Sequence, residues 1–227
     1  MKNKNYYIFQ IDIKTLNIWN TILLIVLIIP SYILYPTFII DTINNYTFLE
    51  FFIYYFIYMI IHEIIHSISY VLNGAKFSRI TYGICLEKSI LCCLCKQDIK
   101  KRNIISSLLS PLIFIGIITY IIATIFKLPL LFTLSIFNIS GCIGDIIMFN
   151  FINKLDKDIT FSEFDDPIGF AISSPNDISK NKYFGINYIT KTNKLERKDL
   201  KKIYISKTSF IIILLFVLTG IFLNTLN

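Results

Sequence analysis

Apolar positions along this chain come mostly in long blocks rather than at helical or strand spacing. Five blocks, at residues 18–40, 47–72, 104–126, 128–152 and 208–226, are long enough to cross a bilayer. A helix needs about 20 residues, at 1.5 Å each, to do so. Pro30 and Pro36 predict a kink or break near the end of the first block. Only residue 127 separates the third block from the fourth, so these two form a tight helical hairpin. Polar residues return between 153 and 207. There "FDDPIGFAI" and "KYFGINYIT" read as short strands around turns, and "NKLERKDLKK" reads as a solvated helix leading into the last block. The pattern predicts an all-α polytopic membrane protein of about five transmembrane helices. It divides into an N-terminal segment with the first span (1–46), a core of spans (47–152), a polar loop or small subdomain (153–207) and a last span (208–227).

Composition agrees, with 55% hydrophobic residues, 16% charged residues and twenty phenylalanines, far from a soluble domain. The formal charge of +7 does not point to nucleic acid, because the basic residues sit between the apolar blocks. Lys and Arg number three in the N-terminal segment, seven in 73–103 and eleven in 153–207, against Lys127 alone on the other face. This excess predicts a multi-pass protein of the cell membrane with a cytoplasmic N terminus and an external C terminus. No small-residue cleavage site follows the first block, which reads as a retained span. The cluster Cys92, Cys93 and Cys95, with Cys85 nearby, lies in a basic loop and reads as reduced thiols. The C-x-x-C spacing of Cys92 and Cys95 raises a second metal site, but ordinary thiols are the simpler reading.

One stretch changes the picture. "YMIIHEIIHSI" (58–68) places His62, Glu63 and His66 inside the second span, where polar side chains are costly. Four residues apart on a helix, the two histidines share a face and can hold one Zn²⁺. A glutamate between them can take a proton from a metal-activated water as it attacks a peptide carbonyl. These are the only two histidines in the chain. A third ligand must come from a carboxylate or a cysteine. Glu50 lies about 18 Å too far out, whereas Asp145 and Cys142 sit at the right depth. Gly141 and Gly144 would let the fourth span approach the second. Pro111 should open or bend the third span. Asn138, seven residues before Asp145 on the same helix face, is a candidate substrate or oxyanion donor, with interhelical hydrogen bonding the simpler role.

The stretches "HEIIHSISYVLNGAKFSRITYG" (62–83), "LCCLCKQDIKKRNIISSLLSPL" (91–112) and "NISGCIGDIIM" (138–148) together resemble the DUF3267 family of membrane zincin peptidases, related to the site-2 protease. The resemblance implies a three-helix site-2-protease-like metallopeptidase core in spans two to four, within the catalytic segment 47–152. It favours Asp145 over Cys142 as third zinc ligand, with Glu63 as general base. It also implies a strand edge, in "SRITYGICL" (78–86), for an extended substrate. The site-2 protease carries a longer Asp-Gly motif where this chain has Gly144-Asp145. The expected function is hydrolysis of a membrane protein or peptide near the cytoplasmic boundary. The rival is a non-catalytic membrane protein that keeps the zinc scaffold for binding, immunity or regulation. The presence of Glu63 favours catalysis.

Overall fold

The computed structural model describes residues 5–85, 90–163, 169–179, 182–192 and 203–205. Four of the five apolar blocks become helices. The first yields α1 (Ile13–Leu34) and α2 (Pro36–Asn45), which break at Tyr35 where Pro36 starts the new helix. The second is α3 (Phe48–Leu72), opened by a reciprocal capping box between Thr47 and Glu50. The third is one rod: α4 (Lys101–Pro111), a π-helical stretch (Leu112–Ile117) and α5 (Ile118–Phe126). Lys127, left-handed at φ 54°, turns the chain into α6 (Pro129–Gly141) and α7 (Ile143–Asn153), which bend by 40° at Cys142. By length and composition α1, α3 and the α4–α5 rod can each cross a membrane, and α6–α7 makes a fourth span if the bent pair is one. The fifth block and the charged stretch 193–202 lie outside the described residues.

The expectation of an all-α protein is overturned. Among the described residues eight strands form: β1 (Tyr6–Ile11), β2 (Ile80–Cys85), β3 (Ile90–Cys95), β4 (Ile99–Lys100), β5 (Thr160–Glu163), β6 (Gly169–Ser173), β7 (Ile186–Thr192) and β8 (Ile203–Ile205). They make two antiparallel sheets, ordered β4-β5-β6-β1-β7 and β3-β2-β8. The physical reason is clearest in β1. Its residues alternate half-exposed and buried, with Tyr7, Phe9 and Ile11 turned inward, which is the two-residue period of a strand. In sequence that alternation runs almost directly into the first apolar block and is hidden by it. Backbone groups in the segments beside the helices also need partners, and ladders supply them.

The larger sheet gathers the N-terminal strand, the end of the 73–103 loop and the strands after α7, so all three segments lie together. It also fixes α7. Phe151, near the end of that helix, packs against Phe9 (centroids 4.9 Å apart) and Tyr183 (4.5 Å). The Lys101 ammonium donates to the carbonyls of Asn153 (2.9 Å) and Leu155 (2.6 Å), closing the C-terminal end of α7. Asp12 caps α1 by accepting from Thr15, whose hydroxyl and amide hold its carboxyl below the usual range.

Candidate metal centre

His62 and His66 project from the buried face of α3, and their Nε2 atoms stand 3.1 Å apart. Asp145, in the first turn of α7, faces both: Oδ2 is 3.5 Å from His62 Nε2 and Oδ1 is 3.5 Å from His66 Nε2. The 40° bend at Cys142 lies immediately before this turn.

Each ring is held from behind. His66 Nδ1 donates to the Ser107 carbonyl on α4 at 2.9 Å. In an α-helix that carbonyl would accept from the N–H of residue 111. Residue 111 is proline, which has none, so the oxygen takes the histidine instead, alongside the Ser110 hydroxyl at 2.8 Å. His62 Nδ1 donates to Asn138 Oδ1 on α6 at 2.9 Å. The amide nitrogen of Asn138 donates to the Pro111 carbonyl at 3.5 Å, which settles which way the amide points. With both Nδ1 atoms committed as donors, each ring turns its Nε2 toward the other and toward the Asp145 carboxylate, and in the neutral form that a metal needs those nitrogens carry lone pairs. Three converging acceptors repel unless a cation lies among them. Tetrahedral zinc, with ligands at about 2.0–2.2 Å, separates its donor atoms by about 3.3–3.5 Å, so the set fits.

His62, His66 and Asp145 can therefore hold a metal ion, with their donor atoms all within 4.8 Å of one another. They are the single such group among the described residues. Cys142 is buried one turn from Asp145 but does not join it; Asn138 Nδ2 lies 3.8 Å from its sulfur. Glu50 is occupied at the far end of α3 by its cap. Cys92, Cys93 and Cys95 are buried, and none joins a metal-binding group among the described residues.

Glu63 lines the same cavity of about 410 Å³ as the two histidines and Asp145. Another wall is β3, from Leu91 to Leu94, and the Cys93 backbone N–H donates to the Glu63 carboxylate. Tyr82 ties this hairpin to α3 through its hydroxyl, which donates to Ser67 Oγ at 2.6 Å. Burial pushes that hydroxyl up to about 12.

Three sequence readings shift. The strand that lines the cavity is β3, the outer strand of its sheet, whereas "SRITYGICL" runs into β2, between β3 and β8. Gly144 faces Leu16 of α1, and a Cβ on Gly141 would meet nothing within 4 Å. The close approach is at Gly116, where a Cβ would stand 2.9 Å from Ile139 Cγ1 and 3.4 Å from Asn138 Nδ2. Ser107 and Cys93 went unread, because they act through backbone atoms. Pro111 was the available signal for the first.

Long apolar helices, able by length and composition to cross a membrane, bring two histidines and an aspartate together around a cavity as a group that could hold a metal ion, with a glutamate beside them. Residues 55–160 match the family model DUF3267, described as "Putative zincin peptidase", which is the family the sequence resembled. No curated protein and no solved structure matches the chain.

Proposed function

We propose that this chain is a membrane-embedded zinc metallopeptidase, of the site-2-protease-like kind, that cuts peptide bonds near the cytoplasmic boundary. The observation that carries the reading is the convergence of His62, His66 and Asp145 on one point in a cavity shared with Glu63. Zinc, when bound there, supplies Lewis-acid activation of water and of the scissile carbonyl.

Glu63 takes the proton of the attacking water and delivers it to the amine that leaves as the C–N bond breaks. The Cys93 N–H keeps that carboxylate aimed. Ser107 and Asn138 hold the rings in the tautomer that leaves Nε2 free. This makes Asn138 a positioning residue behind His62. The outer edge of β3 offers main-chain groups to an extended peptide. The segments richest in Lys and Arg include the strands gathered in the larger sheet. That supports a cytoplasmic N terminus, an external C terminus and access from the cytoplasmic side. The partners are a membrane protein or peptide substrate and the lipid bilayer.

Glu63→Gln provides the test. The variant keeps about one zinc per chain, while peptide hydrolysis falls by roughly 10²–10⁴-fold, because an amide cannot accept the proton. Membrane proteomes of cells carrying wild type and variant are compared for uncut single-span proteins that accumulate. Cutting that persists in the variant removes Glu63 from its role. Zinc binding with no cutting by either form leaves the non-catalytic scaffold.

A further inference from the structure

Helix α1 lies outside the matched stretch 55–160 and supplies none of the metal-site side chains, yet it walls the same cavity through Leu16, Asn17 and Asn20. It sits close to the metal site, since Leu16 Cδ1 is 3.5 Å from where a Cβ on Gly144 would be, next to Asp145. Asn20 is seven residues into α1, about 10 Å along its axis, and His66 is six residues from the end of α3, about 9 Å. The amide and the imidazole are thus level within their spans.

Asn20 Oδ1 is shielded from solvent and has no hydrogen-bond partner among the described residues, the one buried side-chain oxygen or nitrogen of which this is true. A buried amide oxygen without a partner on an apolar helix works against the fold that contains it. Such groups are retained where a ligand completes them. A carboxamide offers one acceptor and two donors, which complement the N–H and C=O of a single peptide unit.

We propose that Asn20 binds substrate, pairing its carboxamide with one peptide unit of the chain being cut, beside the bond that breaks. This rests on the metallopeptidase reading above. The wild-type geometry then carries an unsatisfied group in the free enzyme that the substrate satisfies, so stability is exchanged for recognition.

The experiment uses the full zinc-loaded chain in detergent micelles, with Asn20→Ala and Asn20→Leu beside wild type. Two probes are titrated: acetohydroxamate, which grips zinc without a peptide, and an acetyl-trileucyl hydroxamate, which adds one. Both variants are expected to bind the peptide probe roughly tenfold more weakly, the scale of one buried hydrogen bond. They bind acetohydroxamate unchanged, hold the same zinc and melt at or above the wild-type temperature, because an orphan group is gone. Leucine suits an apolar helix and keeps the test alive if the alanine variant does not fold. Equal peptide-probe binding by all three forms means that Asn20 holds only water, which overturns the proposal and leaves the zinc site standing. Zinc loss or a lower melting temperature in both variants means a structural role and overturns it too. If zinc-loaded wild type binds neither probe, the metallopeptidase reading fails and this proposal with it.

Discussion

Helix α4 holds His66 with a backbone carbonyl, whereas α6 holds His62 with a side-chain amide. The two rings sit four residues apart on one helix and meet at 3.1 Å, but they are secured by different kinds of group. Ser107 offers its carbonyl whatever its side chain is, and control lies four residues on, at Pro111. Asn138 offers a group that one substitution removes, and its amide leans on the carbonyl of that same Pro111. One residue therefore serves both walls, by the hydrogen it lacks on one side and the oxygen it exposes on the other. A ring held by backbone is disturbed only by competition. A ring held by a side chain is disturbed by deletion.

Removing the ligand that both rings face has the largest effect. Asp145→Ala should lower zinc from about one per chain to near zero by elemental analysis, while Cys142→Ala keeps it. The opposite pattern makes the cysteine the third ligand.

Next in size is the α6 wall. Asn138→Leu frees the back of His62 and should weaken zinc about 10–100-fold in chelator competition. Unchanged affinity would mean that the amide does not orient the ring.

The α4 wall should give a smaller response. Pro111→Ala restores an N–H that competes with His66 for the Ser107 carbonyl, and zinc should weaken about tenfold. Thermal stability holds or rises, because the helix regains a bond. Ser107→Ala should leave zinc unaltered, since the carbonyl remains. If Ser107→Ala weakens zinc as much as Pro111→Ala does, the contrast between backbone and side-chain holding collapses.

Smallest is Tyr82→Phe, which touches neither wall. Losing the bond to Ser67 should lower stability by about 0.5–1.5 kcal/mol and leave zinc unchanged. The Tyr82 hydroxyl is raised to about 12 in the fold, so its contribution is full below the ordinary tyrosine range near 10. It is lost as pH rises toward 12. Thermal melts of wild type and variant should therefore differ by a constant amount from pH 6 to 9 and converge above. A difference that already shrinks at pH 7 would assign it to another group.

The helices were legible because length and apolarity suffice to identify a span. The break at Tyr35 followed from Pro36. The meeting of His62 and His66 beside Glu63 was legible because their spacing is itself the geometry, whereas depth left Asp145 and Cys142 side by side and the family resemblance favoured the aspartate. The strands were legible only in part: the stretches FDDPIGFAI and KYFGINYIT, read as strands, run into β6 and β7, whereas β1 and β3 were not read. In β3 the run ILCCLC has no alternation to read, and β1 pairs with residues more than 150 positions away. Ser107 was invisible for a different reason: a carbonyl oxygen has no letter of its own. Pro111 was read as a bend, and the structure makes it the residue that frees an acceptor. Asn138 was read for substrate or interhelical contact, and it sits behind His62.

The place of β1 between β6 and β7 also sets a timetable. Both of its neighbours are made late: β6 starts at Gly169 and β7 ends at Thr192. At about 5–20 residues per second, the N-terminal strand waits roughly 10–40 s on the ribosome before its slot exists. Until β6 is made, Tyr7, Phe9 and Ile11 have no strand to pair with, and Phe151 lacks Tyr183 for longer still. The helix that carries Asp145 is made before the sheet that steadies it. A chain stalled short of Ile186 would hold every metal-site residue and β6, but would lack β7 on the other side of β1. β1 comes into full register only once Thr192 has been made.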